Sequence, residues 1–396
     1  MGDQMSSRER MLAALSGKKP DHVPCCFMLF GAMRKKSRDP LDYVSRQLDM
    51  GLDAYVELPG RPIGLARETS EHYDLYGLPV RFGTGVTVSN WTEGENMIHR
   101  EYLTPSGRLV TTVIRTDDWV HGDRVPLFDD YVIPRARKRL ITGRDDLGAL
   151  RHLLIPPSAD EIRAFRDDAK RARRFAADRD VVTAGAWGVL FDAACWLCGM
   201  EELSQAAIED PEFLDELLEI IHGWNAKRME ILLDERPDLM IRRSWYETVD
   251  MLSPANYRRF ILPPLQKDAR QCHAAGCKLA IITTSAYTPL LDLYIESGVD
   301  ALIGLDPVQD SRADFALTKG KLGGKIGLWG GVNGFVTVER GTDDDVRKAV
   351  RDAARVLAPG GGFILSPVDN VRDDGPLARA NVEAFIDEWT KVRDQY

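Results

Sequence analysis

The chain has 396 residues, of which 44% are hydrophobic and 29% charged, and its formal net charge is −9. This composition is typical of a globular protein with a full hydrophobic core, and the length suits either two domains or one large α/β barrel. The negative charge argues against nucleic acid as the main partner, because phosphate binding needs a clustered basic face.

The amino-terminal stretch "MGDQMSSRERMLAALSGKKPDHVP" carries charge throughout and lacks the apolar core of a signal peptide. No apolar run approaches the roughly 20 residues that a membrane-spanning helix needs. Six cysteines in so long a chain do not form a disulfide framework. We therefore expect a cytoplasmic protein without membrane partners.

Short apolar segments alternate along the chain with longer stretches of helical period, which predicts βα units around a parallel sheet. Eight segments are predicted as strands: residues 23–31, 53–59, 181–186, 239–247, 278–285, 301–307, 325–333 and 362–370. Helices are predicted at residues 160–174, 201–226, 254–273 and 342–357. The predicted fold class is α/β, a (β/α)8 TIM barrel that forms a single domain over residues 1–396.

The stretch between the second and third predicted strands, about residues 60–180, is too long for a simple crossover. It contains alternating segments such as "VRFGTGVTVSNW" and "YLTPSGRLVTTVIRTDDW", whose Pro-Ser-Gly turn predicts antiparallel hairpins. We interpret this insertion as a cap over the mouth of the barrel. A structural excursion away from the mouth is the alternative.

Catalytic residues of such barrels come from the carboxyl ends of the strands. At these ends four carboxylates could converge, and their repulsion and burial would raise the pKa of at least one. Aromatic side chains there could form flat walls for a ligand. Carboxylates at strand ends are also common helix caps or turn residues, above all Asp306 before Pro307, and the aromatic residues could belong to the core. The predicted site residues are Glu57, Trp187, Trp245, Tyr246, Glu247, Thr284, Ser285, Asp306, Trp329, Asn333, Asp369 and Asn370.

No metal site is predicted at the mouth. Cys195 and Cys198 have the spacing of core residues in one helix, "DAACWLCGMEEL". The chain also lacks a D-x-H-x-x-G segment, the signature of corrinoid-binding domains. We expect no cofactor on the chain itself, and a corrinoid would have to be carried by a partner protein.

Several segments together resemble the uroporphyrinogen decarboxylase superfamily. They are "SSRERMLAALSGKKPDHVP", "LFDAACWLCGMEELSQAAIEDPEFLDELLE", "MLSPANYRRFILPPLQK" and "LAPGGGFILSPVDNV". The resemblance covers nearly the whole chain, and it implies a (β/α)8 barrel and a homodimer. It is specific for the superfamily and leaves the reaction open.

The resemblance has two branches with different chemistry. The decarboxylases hold a porphyrinogen with an arginine-rich amino-terminal segment, for which this chain has "CCFMLFGAMRKKSRDP". The thiol-activating methyltransferases hold zinc with a His-x-Cys at the end of the fifth strand and a Cys after the last strand. In this chain Ile282, Thr283, Thr284 and Val368 occupy those positions. The pattern is similar to a subfamily without these zinc ligands, near the cobalamin-dependent methyltransferases.

The resemblance therefore favours a zinc-independent enzyme that moves a methyl group from a small substrate, such as a methoxylated aromatic compound, to a separate corrinoid protein. Glu247 is the predicted acid that assists the departing atom, with Tyr246 and Asp369 in support. The other site residues are predicted to bind substrate. Two alternatives stay open: a decarboxylase of the uroporphyrinogen decarboxylase type acting on a small acid or a porphyrinogen, and a binding protein without catalysis.

Overall fold

A computed structural model of the chain describes residues 5–60, 75–310 and 312–396. Its centre is a seven-stranded sheet with the order β1-β6-β7-β8-β9-β10-β11, in which all neighbouring strands are parallel. A second sheet is antiparallel with the order β2-β3-β4-β5. The strands are β1 Tyr55–Leu58, β2 Thr87–Glu93, β3 Met97–Thr104, β4 Gly107–Ile114, β5 Ala136–Lys138, β6 Val182–Gly185, β7 Leu239–Arg243, β8 Lys278–Ile282, β9 Ala301–Leu305, β10 Gly327–Asn333 and β11 Phe363–Val368.

Seven of the eight predicted strands are confirmed, and the first is not. Residues 23–31 make only single bridges, Cys25 with Leu365 and Leu29 with Asn370. The physical reason is that several backbone donors of this segment bond to side chains, which interrupts a regular ladder; for example, Met28 N–H donates to Ser366 Oγ at 2.7 Å, although Cys26 N–H still donates to the carbonyl oxygen of Leu365 on β11. The predicted barrel is therefore present as a curled parallel sheet that no regular eighth strand closes within the described residues.

The inside of the curled sheet is a compact apolar core. Trp329 is its largest member, and small alanines such as Ala184, Ala280 and Ala301 come from other strands. Met11 from the first helix packs into the same core. That helix lies at the amino ends of the strands, where the N–H of Arg8 donates to the carbonyl oxygen of Asp180, so the mouth is at the opposite, carboxyl end.

The helices surround the sheet and begin at recognisable caps. Ser158 and Thr342 form capping boxes at the starts of two of them. The helices are Ser7–Leu15, Gly31–Arg34, Pro40–Asp49, Leu147–Leu150, Ala159–Arg179, Phe191–Cys198, Met200–Glu209, Pro211–Leu233, Pro254–Asn256, Leu262–Ala274, Leu291–Ser297, Phe315–Leu322, Asp343–Leu357 and Pro376–Val392. None of the helices in the described ranges is long and apolar enough to cross a membrane.

Two segments that were each predicted as one helix form two helices in the structure. The helix predicted at residues 201–226 is broken at Asp210, because Pro211 lacks a backbone N–H and the Asp210 side chain caps the next helix at Phe213 N. The segment "DAACWLCGMEEL" is broken at Gly199, whose φ of 94° ends one helix and starts the other. The helix predicted at 254–273 includes a wider turn at Tyr257–Ile261.

The antiparallel sheet confirms the predicted hairpins between the second and third predicted strands, which are β1 and β6. Strands β3 and β4 are joined at the Pro105–Ser106 turn. The first part of the predicted insertion, residues 61–74, lies outside the described residues. The loop between β4 and β5 reaches the mouth, where Asp130 contacts Arg243.

Candidate active site

The mouth of the curled sheet is the end at which the parallel strands finish. Side chains alternate between the two faces along a strand, and on β7 both Leu239 and Ile241 belong to the core inside the sheet. Arg243 is therefore the next inward side chain, where β7 ends. The same alternation brings three further polar side chains to this level: Glu57 on β1, Thr284 just after β8 and Ser366 on β11.

Arg243 is a buried cation at the mouth. Its Nε lies 3.3 Å from Asp192 Oδ1, and its Nη2 donates to both oxygens of Asp130 at 2.9 and 3.0 Å. The guanidinium also lies over the rings of Trp196 and Trp245, 4.8 and 4.6 Å from their centroids. Two carboxylates and an aromatic cage thus hold one buried positive charge at the strand end.

Asp130 belongs to the insertion and is held by three donors. Besides Arg243, the Tyr246 hydroxyl donates to Asp130 Oδ1 at 2.7 Å and Trp196 Nε1 donates at 2.8 Å. Burial would raise the pKa of Asp130, but the charge of Arg243 and these hydrogen bonds lower it below its ordinary value. The Asp130 carboxylate therefore stays ionised.

Asp192 is a buried acid next to Arg243. It is the second residue of the helix Phe191–Cys198 and is fully buried, with the Arg243 guanidinium as its nearest cation. Burial raises its pKa to about 7, with Arg243 opposing and the charge of Glu247 adding to the rise. Asp192 can therefore gain or lose a proton near pH 7.

Glu247, predicted as the acid, lies on the other face of the sheet. Its Oε1 accepts hydrogen bonds from Arg242 Nη2 at 2.6 Å and from Phe191 N at 3.2 Å. Arg242 points outward and also pairs with Asp268, which in turn contacts His222. All of the Glu247 side chain is buried. The structure thus places Glu247 in a buried ion pair within the helix layer and does not bring it to the mouth.

Asp369 and Asp306 lie near each other after β11 and β9. Asp369 is half-buried, has a φ of 64°, and is 3.5 Å from Arg372. Burial raises the pKa of Asp369, the nearby charge of Asp306 adds to this rise, and Arg372 and Arg243 oppose it. A half-exposed carboxyl group with a raised pKa is suited to donate a proton.

Asp306 and the two predicted asparagines are bound to the surrounding backbone. Asp306 Oδ1 accepts from the N–H groups of Val308 and Gln309, which is the turn geometry that Pro307 favours. Its Oδ2 accepts from Asn333 Nδ2 at 2.7 Å, and burial raises its pKa. Asn370 Oδ1 accepts from the N–H of Gly31 at 2.8 Å. These three side chains are engaged in hydrogen bonds that fix the loops around the mouth, so they offer few polar atoms to a ligand.

Of the three predicted tryptophans, Trp187 and Trp245 form a wall at the mouth, and Trp329 does not. The rings of Trp187 and Trp245 lie 5.4 Å apart, and both are half-buried. The Nε1 of Trp187 is buried without a hydrogen-bond partner among the described residues. Trp329, by contrast, lies within the core, where its Nε1 donates to the carbonyl oxygen of Cys26 at 2.8 Å. The Trp187–Trp245 pair is therefore a partly exposed apolar surface at the mouth.

The remaining predicted residues lie at the mouth with few partners. Thr284 is buried and Ser285 is half-buried directly after β8. Glu57 Oε2 lies 3.6 Å from Arg34, and burial raises the pKa of Glu57 while Arg34 opposes the rise. The described residues contain no group of three or more His, Cys, Asp or Glu side chains arranged to hold a metal ion.

The sequence prediction missed Arg243, Asp130 and Asp192. A signal for Arg243 existed, since "LMIRRSWYE" ends an otherwise apolar strand with two arginines, and a buried strand places neighbouring residues on opposite faces. Nothing in the sequence points to Asp130, which is 113 residues from Arg243 in the chain.

The parallel sheet with its polar mouth defines an α/β protein of the barrel-like class, with a candidate site at the carboxyl ends of the strands. Residues 127–391 match the family described as "Uroporphyrinogen decarboxylase (URO-D)". The chain therefore belongs to the uroporphyrinogen decarboxylase family, which confirms the resemblance inferred from its motifs.

A solved structure shares the fold over nearly the whole chain. A methyltransferase from Methanosarcina mazei is 17% identical, covers 98% of this chain and 99% of its own, and has a TM-score of 0.58. A B12-independent methionine synthase from Shewanella sp. W3-18-1 is 12% identical over 56% of this chain and 64% of its own, with a TM-score of 0.36. No curated protein matches the sequence.

Proposed function

We propose that the protein is a methyltransferase that takes a methyl group from an oxygen or nitrogen of a small substrate, without zinc, and passes it to a corrinoid on a separate protein. The family membership and the fold shared with the Methanosarcina protein support an enzyme of this general kind. The observation that carries the proposal is Asp369, a half-exposed carboxyl group with a raised pKa at a mouth that also presents the Trp187–Trp245 wall.

The chemistry follows from where charge develops. When a methyl–oxygen bond breaks, the bonding electron pair stays on the oxygen, and a proton delivered to that oxygen stabilises it. Asp369 would deliver this proton, and the tryptophan wall would orient the substrate ring. A reduced corrinoid on the partner protein would supply the nucleophile for the methyl group. Thr283 and Thr284 stand where thiol-activating relatives hold zinc, so thiol activation is not part of the proposal.

The test is a methyl-transfer assay with the purified protein, a Co(I) corrinoid and a panel of methoxylated aromatic compounds. We expect the absorbance change that accompanies corrinoid methylation, and a decrease of about a hundredfold in its rate for Asp369→Asn. Asp374→Asn is the matched control, because Asp374 is an exposed carboxylate of the same loop. No corrinoid methylation with any donor would overturn the proposal.

A second candidate is decarboxylation of a small acid, favoured by Arg243, whose guanidinium can bind a carboxylate at the mouth. In that reaction the electron pair of the broken carbon–carbon bond stays on the substrate carbon, which Asp369 would protonate. Release of carbon dioxide from a candidate acid without any corrinoid distinguishes this reaction from methyl transfer.

A further inference from the structure

We propose that Arg243, Tyr246 and Trp196 form a carboxylate-binding site, that Asp130 occupies it in the absence of substrate, and that the substrate is an aromatic carboxylate that displaces Asp130. The inference rests on the proposed function, because it names the substrate class of the same mouth.

The site is already built for a carboxylate. Three donors converge on Asp130: Nη2 of Arg243 on both oxygens, and the Tyr246 hydroxyl and Trp196 Nε1 on one of them. Arg243 itself is buried, with 7% of its side chain exposed. A charged donor that binds both carboxylate oxygens is a specific and strong arrangement, and these donors would meet a substrate carboxylate in the same way.

The two partners of Arg243 differ in how easily they can leave. Asp192 is completely buried, whereas half of the Asp130 side chain is exposed to solvent. The neighbouring Arg242 is different, since both of its partners, Glu247 and Asp268, are buried. Among these carboxylates Asp130 is therefore the one that can turn into water, and an incoming carboxylate would keep Arg243 paired while the rest of the charge cluster stays intact.

The aromatic wall explains why the displacing acid should be aromatic. The Arg243 guanidinium lies over the Trp245 ring, 4.6 Å from its centroid, and the Trp187 ring lies 5.4 Å from that of Trp245. A ring packed on this pair would be close to the guanidinium, so that its carboxylate could replace that of Asp130. Exchange of one carboxylate for another keeps the charge balance, and burial of the ring against the tryptophans provides the net gain.

The experiment compares the binding of 4-methoxybenzoate and its neutral counterpart 4-methoxybenzamide to the full chain by titration calorimetry. We expect the acid to bind at least about tenfold more tightly than the amide. Asp130→Asn should tighten binding of the acid by about tenfold, because the competing carboxylate is gone, and should leave the amide unchanged. Asp215→Asn is the matched control, since Asp215 forms an exposed pair with Arg259 far from these donors, and it should alter neither affinity.

Loss of Arg243 alone would leave the buried Asp192 without its cationic partner. Arg243→Met is therefore combined with Asp192→Asn, and the double variant should bind acid and amide equally. The inference would be overturned if the wild type and Asp130→Asn bound 4-methoxybenzoate with the same affinity. It would also be overturned if neither the acid nor the amide bound. If only neutral donors served in methyl transfer, the inferred carboxylate site would be wrong and the proposed function would still hold. If the acid bound selectively and no methyl transfer occurred, the carboxylate site would hold and the proposed function would be wrong.

Discussion

At the scale of single residues, Arg242 and Arg243 show how one strand serves two purposes. They are adjacent at the end of β7, so their side chains point to opposite faces. Arg242 is buried in the helix layer with Glu247 and Asp268, and Arg243 lies at the mouth with Asp130 and Asp192. The Arg242 cluster connects the strand to the helix layer, and the Arg243 cluster lies at the candidate site.

Asp192 gives a prediction about stability and pH. Burial raises its pKa to about 7 from an ordinary value of 3.8, so the unfolded chain loses this proton at lower pH than the folded chain. The wild type should therefore lose stability relative to Asp192→Asn as the pH rises from about 4 to about 7, by on the order of 4 kcal/mol, and the difference should be constant above pH 7. Chemical denaturation across this pH range measures it.

The control is Asp215→Asn, which removes an exposed carboxylate. Its stability should follow that of the wild type over the whole pH range. Parallel curves for Asp192→Asn and the wild type would mean that Asp192 does not hold a proton in the folded protein near pH 6.

At the scale of elements, β10 departs from regular geometry just before the mouth. Its pairing with β9 shifts register between Trp329 and Gly330, and Gly330 has a φ of 144°. A Cβ atom at Gly330 would lie 2.7 Å from the backbone nitrogen of Leu305. The irregularity precedes Asn333, and such bulges re-aim the side chains that follow.

We expect Gly330→Ala to destabilise the protein by about 2 kcal/mol or more, because the new methyl group would meet the backbone of β9 in a strained conformation. Gly320→Ala is the matched control, since Gly320 lies in the helix Phe315–Leu322 with no atom within 4 Å of an added Cβ. That change should raise stability by up to about 1 kcal/mol. Thermal unfolding of the two variants and the wild type measures both effects. If Gly330→Ala were as stable as Gly320→Ala, the role given to Gly330 would be contradicted.

At the scale of the whole molecule, a buried charge network connects several elements. Arg242 on β7 pairs with Asp268 on the helix Leu262–Ala274, and Asp268 contacts His222 on the helix Pro211–Leu233. Through Glu247 the network also reaches the first turn of the helix Phe191–Cys198. The loop after β7, which carries Trp245 and Tyr246, is thereby tied to the outer layer.

Arg242→Met should destabilise the protein by about 3 to 5 kcal/mol, because it leaves two buried carboxylates without their cation. The triple variant with Glu247→Gln and Asp268→Asn should recover much of this loss, since it contains no unpaired buried charge. Denaturant unfolding of both variants measures the difference. If the triple variant were less stable than Arg242→Met, the network would not be held together by charge.

Much of the fold could be predicted from local patterns. Apolar segments of strand length, followed by capped helices, identified seven parallel strands and the hairpin insertion, since these signals depend on nearby residues. The first strand was predicted wrongly because several of its backbone donors bond to distant side chains such as Ser366, which no local pattern reveals. The break at Asp210 was detectable, because Pro211 and a capping aspartate are local signals.

The family, the seven parallel strands and many of the polar residues near their carboxyl ends could be predicted from the sequence, because they follow from motifs and from periodicity along the chain. Only the tertiary structure decided which of them share the mouth. It turned Glu247 outward to Arg242 and brought Asp130 from the insertion to Arg243. The reason is physical: a strand buried on both faces carries no alternation that tells inside from outside, and partners far apart in sequence are selected by packing and charge pairing.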